Sequence, residues 1–256
     1  MMTDVRESRL LVTSDTHVGN LFCDARRGLI RFLDYARANH YNVCINGDGI
    51  DVQYTTLKKF TVETAALVRE LRRITDDITV YYTIGNHDII LEHYVGDWGG
   101  LRLVPFLNVT SGARRIRVEH GHLYDPSLMT HPDLHHGIRR FFALLCRMYP
   151  PGYHWHANYQ IVRYRYLRRL LGQDRQWLDS PTTRDQSPSF VEAAEELSQR
   201  GFDDVIFGHT HYAGMVPLNG NRARYFNTGS WFGQPYYIAI NDGNVELKPW
   251  PQGAGH

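Results

Sequence analysis

The chain of 256 residues has only three cysteines, Cys23, Cys44 and Cys146, widely spaced and without a C-x-x-C pair. An odd, scattered set argues against a disulfide framework and fits a reducing compartment, so a cytoplasmic protein is expected. Long apolar runs are missing too. No stretch reaches the ~18 residues of a membrane span, and Asp4, Arg6, Glu7 and Arg9 interrupt the apolar run that a signal peptide would need. The third absence is an excess of one charge. The 28 basic and 27 acidic side chains leave a formal charge of +1, so no global field points to nucleic acid or to an acidic partner, and any charge signal must be local. Histidine is what the chain has in quantity, at 14 residues. Imidazole is both the commonest metal ligand and the usual acid or base near neutral pH, which directs attention to those positions.

With 43% hydrophobic residues, a chain of this length can bury a substantial core. Arg9 to Ser14 (RLLVTS) reads as a buried strand bounded by the polar DTHVGN turn. Gly28 to Asn39 carries Leu29, Ile30, Phe32, Leu33 and Ala36 at amphipathic-helix spacing, and Tyr41 to Asn46 reads as the next strand, completing a β-α-β unit. The pattern continues with a helix over Thr61 to Ile74 and strands over Ile78 to Ile84 and Arg115 to Glu119. A helix over Pro188 to Arg200 and a strand over Asp204 to Phe207 follow. Short strands are expected over Ala223 to Asn227, Tyr236 to Asn241 and Val245 to Pro249, with Asp242-Gly243 as a hairpin turn.

Five fragments carry metal chemistry: Asp15-Thr16-His17, Gly47-Asp48, Gly85-Asn86-His87-Asp88, His120-Gly121-His122 and Gly208-His209-Thr210-His211. Each follows a predicted strand, and loops at the carboxyl ends of strands in an open α/β sheet converge on one crevice. Asp-x-His projects an oxygen and an imidazole to the same side of an extended segment. The carboxylate of Asp48 can bridge two cations, Asn86 adds a neutral oxygen, and His209 and His211 can face neighbouring metals. Singly, such fragments are more often core histidines or plain turns. Five of them at strand ends form a constellation. Spacing alone does not separate His120 from His122 as a ligand. Asp88 either orients His87 or caps a helix. Asp51 is either an acceptor behind a ligand histidine or a solvated turn carboxylate, the second being favoured. Mixed nitrogen and oxygen ligation suits Mn, Fe, Zn or Co better than Ca or Mg.

The order D-x-H, G-D, G-N-H-D, H-G and G-H-x-H, spanning Leu11 to Trp231, resembles the calcineurin-like metallophosphoesterase superfamily. The resemblance implies two divalent metal ions, with manganese the first choice. Asp15, His17, Asp48 and His211 would hold one, and Asp48, Asn86, His120 and His209 the other, with Asp48 as the bridge. It implies a catalytic role for His87 and prefers His120 over His122 as a ligand, leaving His122 on the substrate side. The expected fold is α/β, an αββα sandwich of two packed mixed β-sheets flanked by helices. It would form a single domain over residues 1–256 with a helical cap insertion at about 125–181.

That insertion has its own chemistry. Between Pro126 and Gln176 eight arginines face two acids, Asp133 and Asp174, and apolar faces around Ile138 to Met148 and Tyr159 to Leu171 run beside them. Basic amphipathic helices suit an anionic lipid surface or an acyl-bearing phosphate substrate, with Arg139 and Arg140 as substrate contacts. A solvated helical hairpin packed on the core is the plain alternative. Placement of the insertion between HGH and GHTH resembles the UDP-2,3-diacylglucosamine pyrophosphatase branch, although that branch has Arg at the position of His87 and Asp at that of His122. The expected partner is therefore a phosphate-containing small molecule or a lipid-linked nucleotide, at a cytoplasmic membrane face. A phosphodiesterase or phosphomonoesterase of other specificity is the alternative. A non-enzymatic protein-binding scaffold is disfavoured by the intact ligand set, and nucleic acid by the neutral charge.

Overall fold

The computed structural model describes residues 3–21, 23–126 and 186–251. Its elements in chain order begin with β1 (Asp4–Arg6), β2 (Arg9–Thr13), α1 (Arg26–Ala38), β3 (Asn42–Asn46), α2 (Leu57–Ile74) and β4 (Val80–Thr83). After a 3-10 turn over Ile89–Tyr94 come β5 (Gly96–Asp97), β6 (Leu101–Val104), β7 (Leu107–Ser111) and β8 (Arg114–Val118). Residues 186–251 contribute α3 (Pro188–Gln199), β9 (Asp204–Phe207), β10 (Gly214–Leu218), β11 (Ala223–Asn227), β12 (Tyr236–Asn241) and β13 (Asn244–Pro249).

Among the described residues these strands form two sheets, ordered β13-β12-β2-β3-β4-β6-β5 and β1-β7-β8-β9-β11-β10. Both are mixed. In the first, β2, β3, β4 and β6 run parallel while β12 lies antiparallel to β2. In the second, β8, β9 and β11 run parallel and β10 turns back on β11.

Side-chain alternation explains why the sheets stack. Leu10 and Val12 of β2 join Val109, Ile116, Ile206, Phe226 and Ile238 in the core between the sheets, whereas Leu11 faces outward to Leu29, Phe32 and Leu33 of α1. On β9 the same period sends Ile206 inward and Val205 and Phe207 outward, under Phe190, Ala194 and Leu197 of α3. Strands buried on both faces read as continuous apolar runs, which is how RLLVT and DVIF look in the sequence. The result is the αββα sandwich expected from the sequence.

The start of one helix and the presence of five strands differ from expectation for local reasons. Helix α2 begins a turn earlier than predicted because Thr56 caps it, accepting the Lys59 N–H at 3.2 Å. The exposed Leu57 and the charged Lys58 and Lys59 hid that turn from a periodicity reading. Strands β1, β5, β6, β7 and β10 have no counterpart in the sequence reading, since β1 and β5 are very short and β7 alternates with polar residues. Asp242-Gly243 does form the β12–β13 hairpin turn, both residues having positive φ. The expected cap helices, with Arg139 and Arg140, lie outside the described residues. No helix among the described residues is long and apolar enough to cross a membrane.

Candidate dinuclear metal centre

All five motif fragments sit where strands end: DTH after β2, GD after β3, GNHD after β4, HGH after β8 and GHTH after β9. The first three come from one sheet and the last two from the other, so the site spans the carboxyl edge of the sandwich. Asp15, His17, Asp48, His209 and His211 all have left-handed backbones, with φ between 45° and 66°. A non-glycine residue held there costs about 1–3 kcal/mol, and such residues cluster at functional sites where surrounding contacts over-determine them.

The loops can pack this closely because glycines precede the reactive residues. A Cβ on Gly47 would fall 2.4 Å from the His120 ring, and one on Gly85 would fall 2.1 Å from Asp48 Oδ1. Across this gap Asp88, buried, accepts the N–H of Gly85 at 2.7 Å and of Gly49 at 2.9 Å, together with the Tyr82 hydroxyl. Asp88 therefore neither orients His87 nor caps the following turn, as the sequence reading supposed. It ties the GNHD loop to the GD loop.

The first cluster comprises Asp15, His17 and His211, whose donor atoms lie within 4.8 Å of one another. His17 Nδ1 meets Asp51 Oδ2 at 3.2 Å, which turns Nε2 toward His211 Nε2, also at 3.2 Å. Asp15 Oδ2 accepts the Ser14 hydroxyl and the His209 N–H, leaving Oδ1 to face the cluster. That Oδ1 is buried without a hydrogen bond, with His211 Nε2 3.2 Å away as an ion-pair partner. Buried carboxylate oxygens without a donor are rare, and a bound cation is a standard reason for one.

The second cluster comprises Asp48, His120 and His209, again within 4.8 Å, with Asn86 among them. Asn86 Oδ1 lies 3.3 Å from His120 Nε2 and 2.9 Å from His209 Nδ1. His120 Nδ1 is bound to the Asn46 carbonyl at 3.0 Å and His209 Nε2 to Asp125 Oδ2 at 2.9 Å, so in both rings the other nitrogen faces inward. Asp48 Oδ2 lies 3.3 Å from His120 Nε2 and 4.0 Å from His17 Nε2, between the two clusters. The donor set suits a pair of divalent cations.

The electrostatics agree. Burial pushes Asp15 upward, but the His120 and His211 imidazoles outweigh it and hold the carboxyl at about 2. Burial likewise opposes the ionisation of Asp48 and Asp51, and the histidines around them hold both well below the usual carboxylate range. Asp15, Asp48 and Asp51 are therefore anionic near neutral pH.

His87 lies beside the first cluster, its Nδ1 3.0 Å from Asp51 Oδ2. Its donor atom also falls within 4.8 Å of those of His17 and Asp48, so distance alone does not separate a ligand from an acid. Burial would lower its pKa, but Asp51 and Asp48 raise it overall. Asp51 is a correction to the sequence reading: it is fully buried, not solvated. Besides the two imidazoles it accepts Asn20 Nδ2 at 2.6 Å and the N–H groups of Gln53 and Tyr54. Its burial follows from long-range packing that spacing does not reveal. Asp125 and Gln53, whose amide reaches the Asn86 carbonyl at 2.9 Å, were also missed. Neither lies in a motif. His122 sits at the rim of the second cluster, its ring 5.5 Å from His120 and 6.4 Å from His209. Its Nδ1 is buried without a partner, and burial together with those two rings lowers its pKa to about 4.

Two UDP-2,3-diacylglucosamine hydrolases are similar to the chain. That of Shewanella sp. (strain ANA-3) is 24% identical over 251 residues, covering 95% of this chain and 98% of the relative. That of Shewanella baltica (strain OS185) is 22% identical over 245 residues, with the same coverage. Among solved structures, the E. coli phosphoesterase Yfce covers 95% of this chain and 100% of its own, at 15% identity and a TM-score of 0.42. The calcineurin-like phosphoesterase family matches residues 8–213. The chain therefore belongs to the calcineurin-like phosphoesterase family, and it is a metal-dependent phosphoester hydrolase.

Proposed function

We propose that the chain hydrolyses the pyrophosphate bond of a nucleotide-linked acyl sugar of the UDP-2,3-diacylglucosamine type. The observation that carries the phosphoesterase reading is the position of Asp48 Oδ2 between two donor clusters, one containing the unsatisfied Asp15 Oδ1. In this reading Asp15, His17, Asp48 and His211 hold one divalent cation and Asp48, Asn86, His120 and His209 the other. Manganese is the first choice and iron, zinc or cobalt the alternatives. Two bound cations supply Lewis acidity toward phosphoryl oxygens and a water acidic enough to give hydroxide near neutral pH.

The chain's own residues do the rest. Asp51 holds the His87 ring by Nδ1 and favours its charged form, which suits donation of a proton to the leaving oxygen. His122, neutral and at the rim of the second cluster, would stand beside bound substrate. Arg139 and Arg140 in the basic insertion would neutralise the diphosphate, and the same insertion would bring the enzyme to the anionic inner face of a membrane from the cytoplasm. Support for the substrate is the name of the relatives and their near-complete coverage. A second reading, a phosphodiester or phosphomonoester of other specificity, is favoured by His87 and His122 standing where that branch carries Arg and Asp.

A hydrolysis panel with Mn²⁺ separates these. It compares acylated UDP-sugars, bare nucleotide diphosphate sugars, cyclic nucleotides and p-nitrophenyl esters. Preference for the acylated UDP-sugar supports the proposal. Equal rates with the bare sugar, or faster turnover of simple esters, replace it with the second reading.

A further inference from the structure

Three of the four imidazoles expected to hold metal have a partner on the nitrogen that faces away from the site. For His17 it is the Asp51 carboxylate and for His120 the Asn46 carbonyl. For His209 it is Asp125, a residue outside every motif. We propose that Asp125 is a positioning residue for the second cation site. Its carboxylate accepts a hydrogen bond from the Nε2–H of His209 and so presents the Nδ1 lone pair toward the cation site beside Asn86. The inference rests on the reading that these clusters bind two cations.

A histidine has two chemically similar nitrogens, and which one ligates is set by the hydrogen bond of the other. Every remaining freedom of His209 is already restrained. Its N–H is bound to Asp15 Oδ2 at 3.0 Å, and its ring stacks on Phe190 with centroids 5.9 Å apart and planes 9° from parallel. Stacking sets the plane of the ring but not which nitrogen carries hydrogen. The anionic Asp125 Oδ2, 2.9 Å from Nε2, favours hydrogen on that nitrogen over Nδ1, which lies 2.9 Å from the neutral Asn86 Oδ1.

Asp125 is itself held in place. It follows a 3-10 turn over His122–Tyr124 that closes with the Tyr124 N–H on the Gly121 carbonyl at 2.9 Å. Tyr124 donates its hydroxyl to Glu119 Oε1 at 2.7 Å and packs on Phe207, with ring centroids 5.3 Å apart. The carboxylate is thus presented by the core of the second sheet. An anionic partner also raises the basicity of the ligating nitrogen, and loss of such a partner typically costs about 10–100-fold in metal affinity.

The test measures Mn²⁺ binding by calorimetry and by electron paramagnetic resonance on wild type, Asp125→Ala, Asp125→Asn and Asp125→Glu, with thermal melts of each. Asp125→Ala should weaken one of the two Mn²⁺ affinities by about 10–100-fold and leave the other within about 2-fold. Asp125→Asn, whose amide oxygen can still accept the Nε2–H hydrogen bond without charge, should fall between, and Asp125→Glu should recover part of the loss. At saturating Mn²⁺ the KM of Asp125→Ala should match wild type. Unchanged affinities in Asp125→Ala, equal weakening of both sites, or a raised KM at saturating metal would each overturn the positioning role. If wild type itself bound no Mn²⁺, the metal reading would fail and this inference with it. If wild type bound two ions and Asp125→Ala bound them equally well, only the role of Asp125 would fall.

Discussion

Asp48 Oδ1 accepts the main-chain N–H of His87 at 2.8 Å. One carboxylate oxygen thereby fixes the backbone of the expected acid, and the other is left to face both histidine clusters. Asp48→Ala should therefore reduce metal uptake from two ions per chain toward none, whereas His211→Ala should keep one. Metal analysis after desalting reads both. Retention of two ions by Asp48→Ala would rule out a bridge.

His87 and the expected ligand His17 share Asp51 as a neighbour. His87→Ala should retain both ions and lose about 10²–10⁴-fold in kcat, the range for a general acid. Asp51→Asn should also lower kcat, through the same ring, and should weaken metal binding through His17. Loss of an ion in His87→Ala would make that residue a ligand instead.

Gly85 is required by contact, because its added Cβ would press on Asp48 Oδ1 and on the Asp48 backbone nitrogen at 2.5 Å. Asp48 is itself strained, with φ at 50°, and cannot readily yield. Gly85→Ala should cost about 1–3 kcal/mol in stability, the range for overpacking, and should depress metal affinity. A chemical denaturation midpoint and metal affinity equal to wild type would contradict this.

Metal uptake should release protons. In the metal-free chain burial opposes a charged His120, but the Asp48 and Asp15 carboxylates raise its pKa to about 10. Below that pH the ring carries a proton that a cation must displace, since only neutral imidazole ligates. Burial lowers the pKa of His17 and His209, so these rings are already neutral near pH 7. On the order of one proton should leave per chain at neutral pH, and affinity should rise with pH up to about 10. Calorimetry in buffers of different ionisation heat measures this directly, and heats independent of buffer would refute it.

The parts that sequence made legible are those governed by local order. Apolar runs such as Leu10 to Thr13 and Val205 to Phe207 marked strands buried on both faces, and the polar residues after them marked the site. Strands β5, β6 and β10 escaped notice because their register comes from neighbours: β6 pairs with β4, and β10 with β11. Propensity over two to five residues is too weak to announce such strands.

Residue order by itself determined the strand pattern and the five motif fragments, because motif spacing and strand periodicity are properties of short segments. The resemblance that their order carries implied the family, the two-sheet α/β fold and the choice of His120 over His122 among the seven expected ligands. Only the tertiary structure decided the surroundings of those side chains. Asp51 became a buried anchor for His17 and His87, 34 and 36 positions away, and Asp125 found His209 across 84 positions. Asp88 became a tie between two loops. A carboxylate in a turn looks the same in sequence whether water or imidazole meets it, and the choice is made by which distant segments the packed sheets bring to that edge.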